Sequence, residues 1–585
     1  MKKSKGTSLT LVDFGLGPYV HGTPSKRFPV YTRGNVGEVY PEVVFPFSAS
    51  ISTLISSDPA VEAIEQTGIL TKRENQENAD VHMGAFGGYS YVNLSVSRII
   101  AVRTPGVTVE EADATFLGSE GLAPPHVRQR GDRNLRASLR GMLYGLKVLS
   151  GKQLPDLEKE QQVARGWQKD LPKIADATNQ QLLAVFVEAV PLMGRLFRNH
   201  LLITGGAGAG LSLLKISCEK RLNDHTLALT LLSGIGEVDS ALPALALWEL
   251  SRMVRESEEL TGLFDQGLDG LNVRLLVESS EVLFAQRFRE FLMRFGSRGP
   301  NEWEVACEVW GTNPQMPLAI IDRMRHAEND RAPVLKTEKL AQNREAAVSR
   351  VHAKFGPLGR WNFDRAHRCA MSYSQARERS KTVLVEIVHD CRLALRELGR
   401  RIALEGGGQA DDLWYVLLEE FEDYQNDPVS MVEKIAERRA TRQALSELLP
   451  PFCFTGQMPA PNTWEKRSTK AVALLKQGDV ITGIAGCIGK AQGRARVVVD
   501  PADPGDLGPG DVLIAPLTDP SWTPLFVPVE AVVVDVGGQM SHAIIVSREL
   551  GLPCVVSVTD ATKRIPDGAL IEVDGAAGTV TVLEV

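Results

Sequence analysis

The 585-residue chain lacks the features that mark several classes of protein. Its seven cysteines are widely spaced and form no CxxC pair, so nothing indicates a disulfide framework, a metal site or dithiol chemistry. We find no run of about 18 consecutive apolar residues, and the N-terminal lysines are not followed by the apolar core of a signal peptide. We therefore expect a cytoplasmic protein with no membrane contact and with reduced, mostly buried thiols.

Charge and composition also argue against whole functional classes. The formal net charge is -7, which gives a mildly acidic surface unsuited to binding nucleic acid through its backbone. Hydrophobic residues make up 43% and charged residues 23% of the chain, which is ordinary for a folded soluble protein. A chain of this length must be divided among several hydrophobic cores, and we expect two to four domains.

Recognisable nucleotide-binding loops are missing too. The segment GIAGCIGKA at 483–491 lacks the glycine spacing of a Walker loop and the hydroxyl residue after its lysine. The segment GGAGAG at 205–210 lacks the glycine spacing of a dinucleotide fold. Both are interpreted as turns, and no permanently bound cofactor is expected.

The pattern of apolar residues predicts an α+β protein with a large helical body. Residues 1–448 are predicted to form this body, with mixed α/β structure up to about residue 110. Phenylalanines at helical spacing between Phe284 and Phe295 are interpreted as core positions. Residues 449–482 collect Pro, Gly and Thr without periodicity, most clearly up to residue 470, and are predicted to be a hinge.

A compact domain is predicted for residues 483–585. Five short apolar runs, ARVVVD, DVLIAP, AVVVDV, CVVSV and ALIEVD, read as strands separated by Gly/Pro turns. Between the third and fourth, a strand runs into Gly537 and Gly538 and then into a helix that opens near Ser541 and His542. Unpaired amides at a helix start favour an anion and disfavour an imidazolium. His542 is therefore a candidate neutral nucleophile that could hold a phosphoryl group, although a lone histidine is more often a capping or core residue.

The segment GGQMSHAIIVSRELGLPCVV resembles the phosphohistidine signature of phosphoenolpyruvate-utilising enzymes. Ile544 and Ser557 depart from it, where a small residue and a glycine are usual. LTDPSWTPLF at 517–526 and YTRGNVGEVYPEVVFPFS at 31–48 resemble segments of the rifampicin phosphotransferase branch, with Tyr31 in place of a tryptophan. FGSRGPNEWE at 295–304 resembles a GHRG stretch in which Ser297 replaces the histidine. The resemblance implies a β/β/α swivelling domain that carries phosphate on His542.

Acceptor-site residues follow from the same resemblance. Arg377 and Lys381 share a helix face because they are four residues apart, and the RERSK segment is similar to a basic pattern near the acceptor site. They are predicted to grip the phosphoryl group, although a single pair of this kind is usually a solvated face. Arg298, Arg33 and Glu38 are weaker candidates for the same pocket. No metal ligand is predicted.

The resemblance implies a phosphotransferase of the dikinase type. Because no ATP-grasp domain is recognised, ATP and Mg²⁺ are expected on a separate ATP-grasp subunit, as in phenylphosphate synthase. The acceptor is expected to be a small hydroxylated organic molecule, phenol-like or rifamycin-like. The competing hypothesis is a non-catalytic ligand-binding protein with a vestigial phosphohistidine domain.

Overall fold

The structure is a computed structural model of the chain. It describes residues 22–78, 80–117, 122–151, 154–222, 224, 227–236, 239–277, 280–406, 408–467, 472–501, 503–539 and 541–585.

The first part of the body mixes short strands with helices, as predicted for residues up to about 110. Its elements are β1 (Val30–Thr32), α1 (Val36–Val39), α2 (Pro46–Ser52), α3 (Asp58–Thr67), α4 (Lys72–Asn75), β2 (Met83–Phe86), β3 (Tyr89–Asn93), α5 (Leu94–Arg103), α6 (Val109–Phe116), α7 (Leu135–Leu149) and α8 (Leu157–Lys169).

The middle of the chain is helical, as predicted. Its elements are α9 (Asn179–Leu222), α10 (Leu227–Leu231), α11 (Leu242–Glu256), α12 (Glu258–Asp265), α13 (Leu271–Val277), α14 (Val282–Phe295), α15 (Gln315–Arg325), α16 (Pro333–Lys354), α17 (Pro357–Leu404), α18 (Phe421–Asn426) and α19 (Val432–Ser446). The predicted phenylalanine stripe lies on α14, and its four rings are buried in the core as expected.

The C-terminal part is rich in strands. Its elements are β4 (Leu448–Leu449), β5 (Cys453–Thr455), β6 (Glu465–Lys466), β7 (Val480–Thr482), β8 (Ile484–Cys487), β9 (Lys490–Val497), β10 (Asp511–Ala515), β11 (Ala531–Val534), α20 (His542–Leu550), β12 (Cys554–Val556), α21 (Ala561–Arg564), β13 (Leu570–Asp574) and β14 (Thr579–Glu584). The predicted α+β class is confirmed.

Two long helices, α9 and α17, form the axis of the body and lie against each other along most of their length. The glycines of GGAGAG lie inside α9, so the turn predicted for 205–210 is wrong. A Cβ on Gly206 would stand 2.2 Å from the Tyr373 ring, and one on Gly210 would stand 2.7 Å from the Ala370 backbone. The glycines therefore allow α17 to approach closely, and this packing overrides their weak helix propensity. The second predicted turn, at 483–491, is mostly strand β8 and the start of β9.

The stretch Asn179–Cys218 of α9 is long and apolar enough to cross a membrane by length and composition alone, which a search for uninterrupted apolar runs overlooks. In the structure 39% of its most apolar window is buried. Leu182, Phe186 and Ile203 of this helix belong to clusters of buried side chains that α17 shares. Part of α9 therefore belongs to the core that it forms with α17.

The hinge boundaries predicted at 449–482 include strands of both neighbouring bodies. β5 pairs with β1 in an antiparallel sheet of order β2-β3-β1-β5, so residues 453–455 are part of the body. At the other end, the Leu475 amide donates to the Arg564 carbonyl at 2.7 Å, and β7 pairs with β14. The connection between the two bodies is thus shorter than the sequence suggests, and part of it lies outside the described residues.

The C-terminal domain is built on one eight-stranded sheet, with strand order β7-β14-β13-β9-β10-β11-β12-β8. All five runs predicted as strands contribute to it. β9, β10, β11 and β12 are parallel, and the outer pairs are antiparallel. Helix α20 follows β11, so its first residue lies beyond the carboxyl end of a central parallel strand, the edge where ligands bind in such sheets.

The tight contact between α9 and α17 can be tested with a matched pair of substitutions. Gly206→Ala should lower the free energy of unfolding by about 1–3 kcal/mol because the new methyl group has no room beside Tyr373. Gly205→Ala is the control, since a Cβ there meets no atom within 4 Å. It should be neutral or stabilise by up to about 1 kcal/mol, because alanine favours helix. Calorimetric melting of both variants checks this, and equal melting temperatures would contradict the packing.

Candidate functional site

His542 is the first residue of α20, and its side chain is buried at the boundary between the C-terminal domain and the body. Its ring lies between two hydroxyl groups. Nε2 is 3.0 Å from Thr523 Oγ1 and Nδ1 is 3.3 Å from Thr518 Oγ1, while the Phe526 ring packs edge-on at 6.2 Å. The imidazole is therefore held in one orientation, because a hydroxyl can donate to one ring nitrogen and accept from the other.

Burial lowers the pKa of His542 well below its ordinary value. The positive charges of Lys381, Arg298 and Arg377 act in the same direction, and only the charge of Glu378 opposes them. The ring is thus neutral at pH 7, which is the form that can attack a phosphoryl group.

The three basic candidates gather on the body side of this boundary. Lys381 Nζ is 3.1 Å from Glu302 Oε1, and Arg298 Nη1 donates to the same oxygen at 3.0 Å. Arg377 Nη1 donates to Glu378 Oε1 at 2.7 Å. Arg377 and Lys381 lie on the cavity wall, whereas Arg298 lies behind Glu302 and is also bonded to Thr382.

Two buried carboxylates compensate these cations. Burial alone would raise the pKa of Glu378, but Arg377, Lys381 and the Ser240 hydroxyl outweigh it and hold the value at about 2. Glu302 is 1% exposed, and its Oε2 has no hydrogen-bond partner among the described residues. These two carboxylates therefore compensate part of the positive charge of the three cations.

Glu38 enters the site from helix α1. Its Oε1 is buried and unpaired within the described part of the chain, and its carboxylate faces the backbone amides of His542 and Gly538. Burial raises the pKa of Glu38 to about 7, against the opposing effects of Arg377 and the two amides. A carboxylate of the body thus lies beside the helix start that carries His542.

A cavity of about 190 Å³ lies between the two bodies. One end is polar and is formed by His542, the charged residues and Asp519. The other end is largely apolar, and its wall comes from α1, β2, α9 and α17 and from the segments around Ile55 and Trp303. These side chains are Val36, Ile55, Met83, Met193, Phe197, Leu201, Trp303, Leu384 and Val388. Polar atoms on the wall without a partner among the described residues are Glu38 Oε1, Thr204 Oγ1, Glu302 Oε2, Trp303 Nε1 and Arg377 Nε.

The three residues of the predicted phosphate loop, Gly537, Gly538 and Ser541, make different contacts. A Cβ on Gly538 would lie 2.2 Å from the Thr115 carbonyl oxygen, so this glycine allows the body to come close. Gly537 accepts a hydrogen bond of 2.6 Å from the Ser557 hydroxyl. Ser541 precedes α20, and its hydroxyl is buried without a partner among the described residues. Ser557, which departs from the usual glycine, has a φ of 56°, which explains why glycine is usual there.

Arg33 lies away from the cavity wall, so its predicted place in the pocket is wrong. Its Nη2 donates to the carbonyls of Tyr40 and Pro41 at 2.9 and 3.0 Å, and its guanidinium lies over the Tyr89 ring at 4.5 Å. Arg33 therefore fixes the chain that leaves α1, and through it the helix that carries Glu38.

Several residues of the site were not singled out from the sequence. Glu302 and Glu378 stand next to predicted residues in FGSRGPNEWE and RERSK, and Asp519 stands in the matched LTDPSWTPLF segment. His200 lines the cavity, and burial together with the charge of Arg377 lowers its pKa to about 3. No local pattern marks His200, because it approaches the site only through the packing of α9 on α17. Among the described residues, no group of His, Cys, Asp and Glu has the arrangement of a metal site.

Two family models match parts of the chain. The model described as the fourth domain of rifampicin phosphotransferase matches residues 200–378, and the model of the mobile domain of PEP-utilising enzymes matches residues 507–578. The first range contains the C-terminal half of α9 and Arg377, and the second contains His542. The chain carries the mobile domain of phosphoenolpyruvate-utilising enzymes and resembles rifampicin phosphotransferase. The predicted resemblance is confirmed.

The sequence is also similar to several longer proteins. The rifampicin phosphotransferase of Streptomyces sviceus is 31% identical over 62% of this chain and 42% of its own. The prodigiosin synthesizing transferase PigC of Serratia marcescens is 24% identical over 97% of this chain and 64% of its own. An uncharacterized protein of Mycobacterium tuberculosis is 28% identical over 95% of this chain and 62% of its own. The chain thus spans less than two thirds of these relatives, and the family relationship supports a phosphotransferase.

The close approach at Gly538 gives a testable prediction. Gly538→Ala should loosen the contact between the C-terminal domain and the body because its methyl group would meet the Thr115 carbonyl. Trypsin should then cut faster after Arg467, near the connection of the two bodies. Gly508→Ala in the same domain is the control, since a Cβ there meets only one atom, at 3.8 Å. Equal cleavage rates for the two variants would show that Gly538 does not control the contact.

Proposed function

We propose that this chain carries a phosphoryl group on His542 and delivers it to a hydroxyl group of a small organic acceptor bound in the cavity. The observation that carries the proposal is the position of the neutral His542 ring, beside Arg377 and Lys381, at the polar end of a cavity whose other end is largely apolar. The similarity to rifampicin phosphotransferase supports a phosphotransferase, and the cavity that His542 lines is the place that we propose for the acceptor.

Delivery can be written as one in-line displacement. The acceptor oxygen forms a bond to phosphorus, the P–N bond to the imidazole breaks, and its electron pair stays on the ring nitrogen. Charge on the three peripheral phosphoryl oxygens is stabilised by Arg377 and Lys381, which line the same cavity as His542. One ring nitrogen must give up its threonine hydroxyl to bond phosphorus, while the hydroxyl at the other nitrogen keeps the ring oriented.

The wall of the cavity indicates the kind of acceptor. Trp303, Phe197 and the surrounding aliphatic side chains favour a planar, largely apolar molecule, and the polar end accommodates its hydroxyl. The second, smaller cavity of about 60 Å³ shares Val36, Met83 and Trp303 with the first and extends the apolar end. We therefore propose a hydroxylated aromatic acceptor.

The donor is a separate part of the proposal. ATP with Mg²⁺ would be held by an ATP-grasp subunit acting in trans, and the C-terminal domain would swing between the two sites. This part rests on the sequence resemblance to phenylphosphate synthase. Adding a candidate ATP-grasp subunit and labelled ATP tests it: acid-labile label on this chain only in the presence of that subunit supports the partner, and label without it contradicts the need for one.

Phosphoramidate tests the carrier role without any partner, since it phosphorylates imidazoles with loss of ammonia. The wild-type chain should acquire acid-labile phosphate, and the label should pass to a hydroxylated aromatic molecule such as 2-naphthol. His542→Ala should abolish transfer, because the other histidine among the described residues that line the cavity, His200, has its Nδ1 bonded to the Ser380 hydroxyl. If His542→Ala transfers as fast as the wild type, the chain is not a carrier and ligand binding alone would remain.

Arg377 and Lys381 should affect transfer of the phosphoryl group to the acceptor more than phosphorylation of His542. Arg377→Ala or Lys381→Ala should leave loading of His542 by phosphoramidate intact and slow delivery by about 10²-fold or more, because a cation that stabilises the transferring group is lost. Arg400→Ala is the control, since it lies on the same helix roughly 35 Å further along and forms an exposed pair with Glu397. Equal loss of both half-reactions would show that these residues maintain structure only.

A further inference from the structure

The delivery step leaves one group unassigned, namely the acceptor for the proton of the attacking hydroxyl. Four candidates line the cavity besides Glu38: Glu302, Glu378, Asp519 and His200. Each must be tested for a free, correctly protonated atom that faces the cavity, because a general base needs both reach and a suitable pKa.

Three of these candidates are occupied by other contacts. Both oxygens of Glu378 are bonded, one to Arg377 and one to the Ser240 hydroxyl. Asp519 accepts from the Ser521 amide at 2.8 Å and the Ser521 hydroxyl with one oxygen, and from the Asn301 amide at 3.3 Å with the other. These bonds fix the start of the short helix Pro520–Phe526 and the contact between the two bodies. His200 Nδ1 is bonded to the Ser380 hydroxyl at 2.9 Å, and its low pKa makes it a weak base.

Glu302 has a free oxygen but an unfavourable environment. Its other oxygen is shared by two cations, Arg298 and Lys381, which stabilise the charged form. Protonation of Glu302 would leave both buried cations without their partner. It is therefore a fixed counter-ion of the cationic group.

Glu38 alone combines a free oxygen with a place beside the reacting histidine. Its Oε1 is buried on the cavity wall without a partner among the described residues, and its carboxylate faces the amides of His542 and Gly538 at the start of α20. We propose, resting on the function given above, that Glu38 is the general base that accepts the proton of the acceptor hydroxyl. The base is thus supplied by the body, and the phosphoryl group by the C-terminal domain.

The proton and electrons balance in this step. As the acceptor oxygen bonds to phosphorus, its proton moves to Glu38 Oε1, and the P–N electron pair returns to the imidazole. The ring leaves as the neutral form because its other nitrogen keeps a proton. Separation of the two bodies would then expose the protonated Glu38 to water, where it releases the proton.

The charges around Glu38 fit this cycle. Arg377 and Lys381 on α17 face it from one side, and the start of α20 with His542 faces it from the other. They favour the carboxylate, whereas burial favours the neutral acid, and the pKa of Glu38 rises to about 7 as the net result. A base that changes protonation near neutral pH can both accept and release a proton.

Glu38→Gln separates base catalysis from positioning, because an amide oxygen can still accept from the amides of His542 and Gly538 but cannot take a proton. Glu42→Gln is the control, as it is the same substitution at an exposed residue, 64% accessible, in the same segment. The chains are loaded with phosphoramidate and offered two acceptors, phenol and the more acidic 4-nitrophenol. Loading of His542 should be the same in all three proteins.

The rate of phosphoryl transfer to the acceptor should distinguish Glu38→Gln from the wild type and from Glu42→Gln. Glu38→Gln should slow transfer to phenol by about 10²-fold and transfer to 4-nitrophenol much less, because an acidic acceptor needs little help from a base. In the wild type, delivery to phenol should rise with pH as Glu38 loses its proton through about pH 7, and in Glu38→Gln this rise should disappear.

Two results would overturn the idea in different ways. If Glu38→Gln delivers to phenol at the wild-type rate with the same pH dependence, Glu38 is not the base although the carrier role stands. If the wild type is phosphorylated on His542 but transfers the phosphoryl group to neither phenol nor 4-nitrophenol, the proposed function itself is contradicted. An equal slowing for both acceptors with an unchanged pH profile would mean that Glu38 only positions α20, which also overturns the proposal.

Discussion

The burial of His542 against the cationic face of α17 is the constraint on which the rest of the site depends. A histidine at this place can act as a nucleophile only while its ring is neutral, and the cations that help burial to lower the pKa of His542 would also attract the phosphoryl group that it is proposed to carry. One arrangement of charge therefore serves both halves of the chemistry. It exists only when the C-terminal domain lies against the body, because His542 and the basic side chains belong to different parts of the chain.

Charge compensation explains why so many buried ionisable groups can be tolerated there. Unpaired buried cations would be costly, and Glu302 and Glu378 bond to Arg298, Lys381 and Arg377. A phosphoryl group entering this cluster would bring negative charge to three cations that two carboxylates already partly compensate, so it would be attracted less strongly than by bare cations. Such a site can bind a phosphoryl group weakly enough to release it to the acceptor, as a transfer reaction requires.

Features that depend on neighbouring residues could be predicted from the sequence, whereas features that depend on contacts between distant segments could not. The strand, the glycine pair and the helix start place His542 correctly, since all three lie within one short segment, and the spacing of Arg377 and Lys381 places both on one helix face. In contrast, the turn predicted for GGAGAG was wrong, because contact with Tyr373 decides the conformation of these glycines. Arg33 was placed in the pocket, yet it holds the backbone at Tyr40 and Pro41. The surroundings of Glu38 depend on the fold of both bodies, so they could not be predicted from the residues next to it in the sequence.

The contact between the two bodies sets a limit on any swivelling motion. Trp522, Leu525 and Phe526 of the C-terminal domain are buried in one apolar cluster with Trp248 and Phe291 of the helical body. Separation would expose part of this surface at a cost of about 25 cal/mol for each Å². A carrier that must leave this position on every turnover therefore needs contacts that weaken in step with the chemistry. Glu38 has the properties of such a contact, because a proton on its carboxylate removes the negative charge that faces the amides at the start of α20. Delivery of the phosphoryl group and release of the carrier would then be coupled through a single proton.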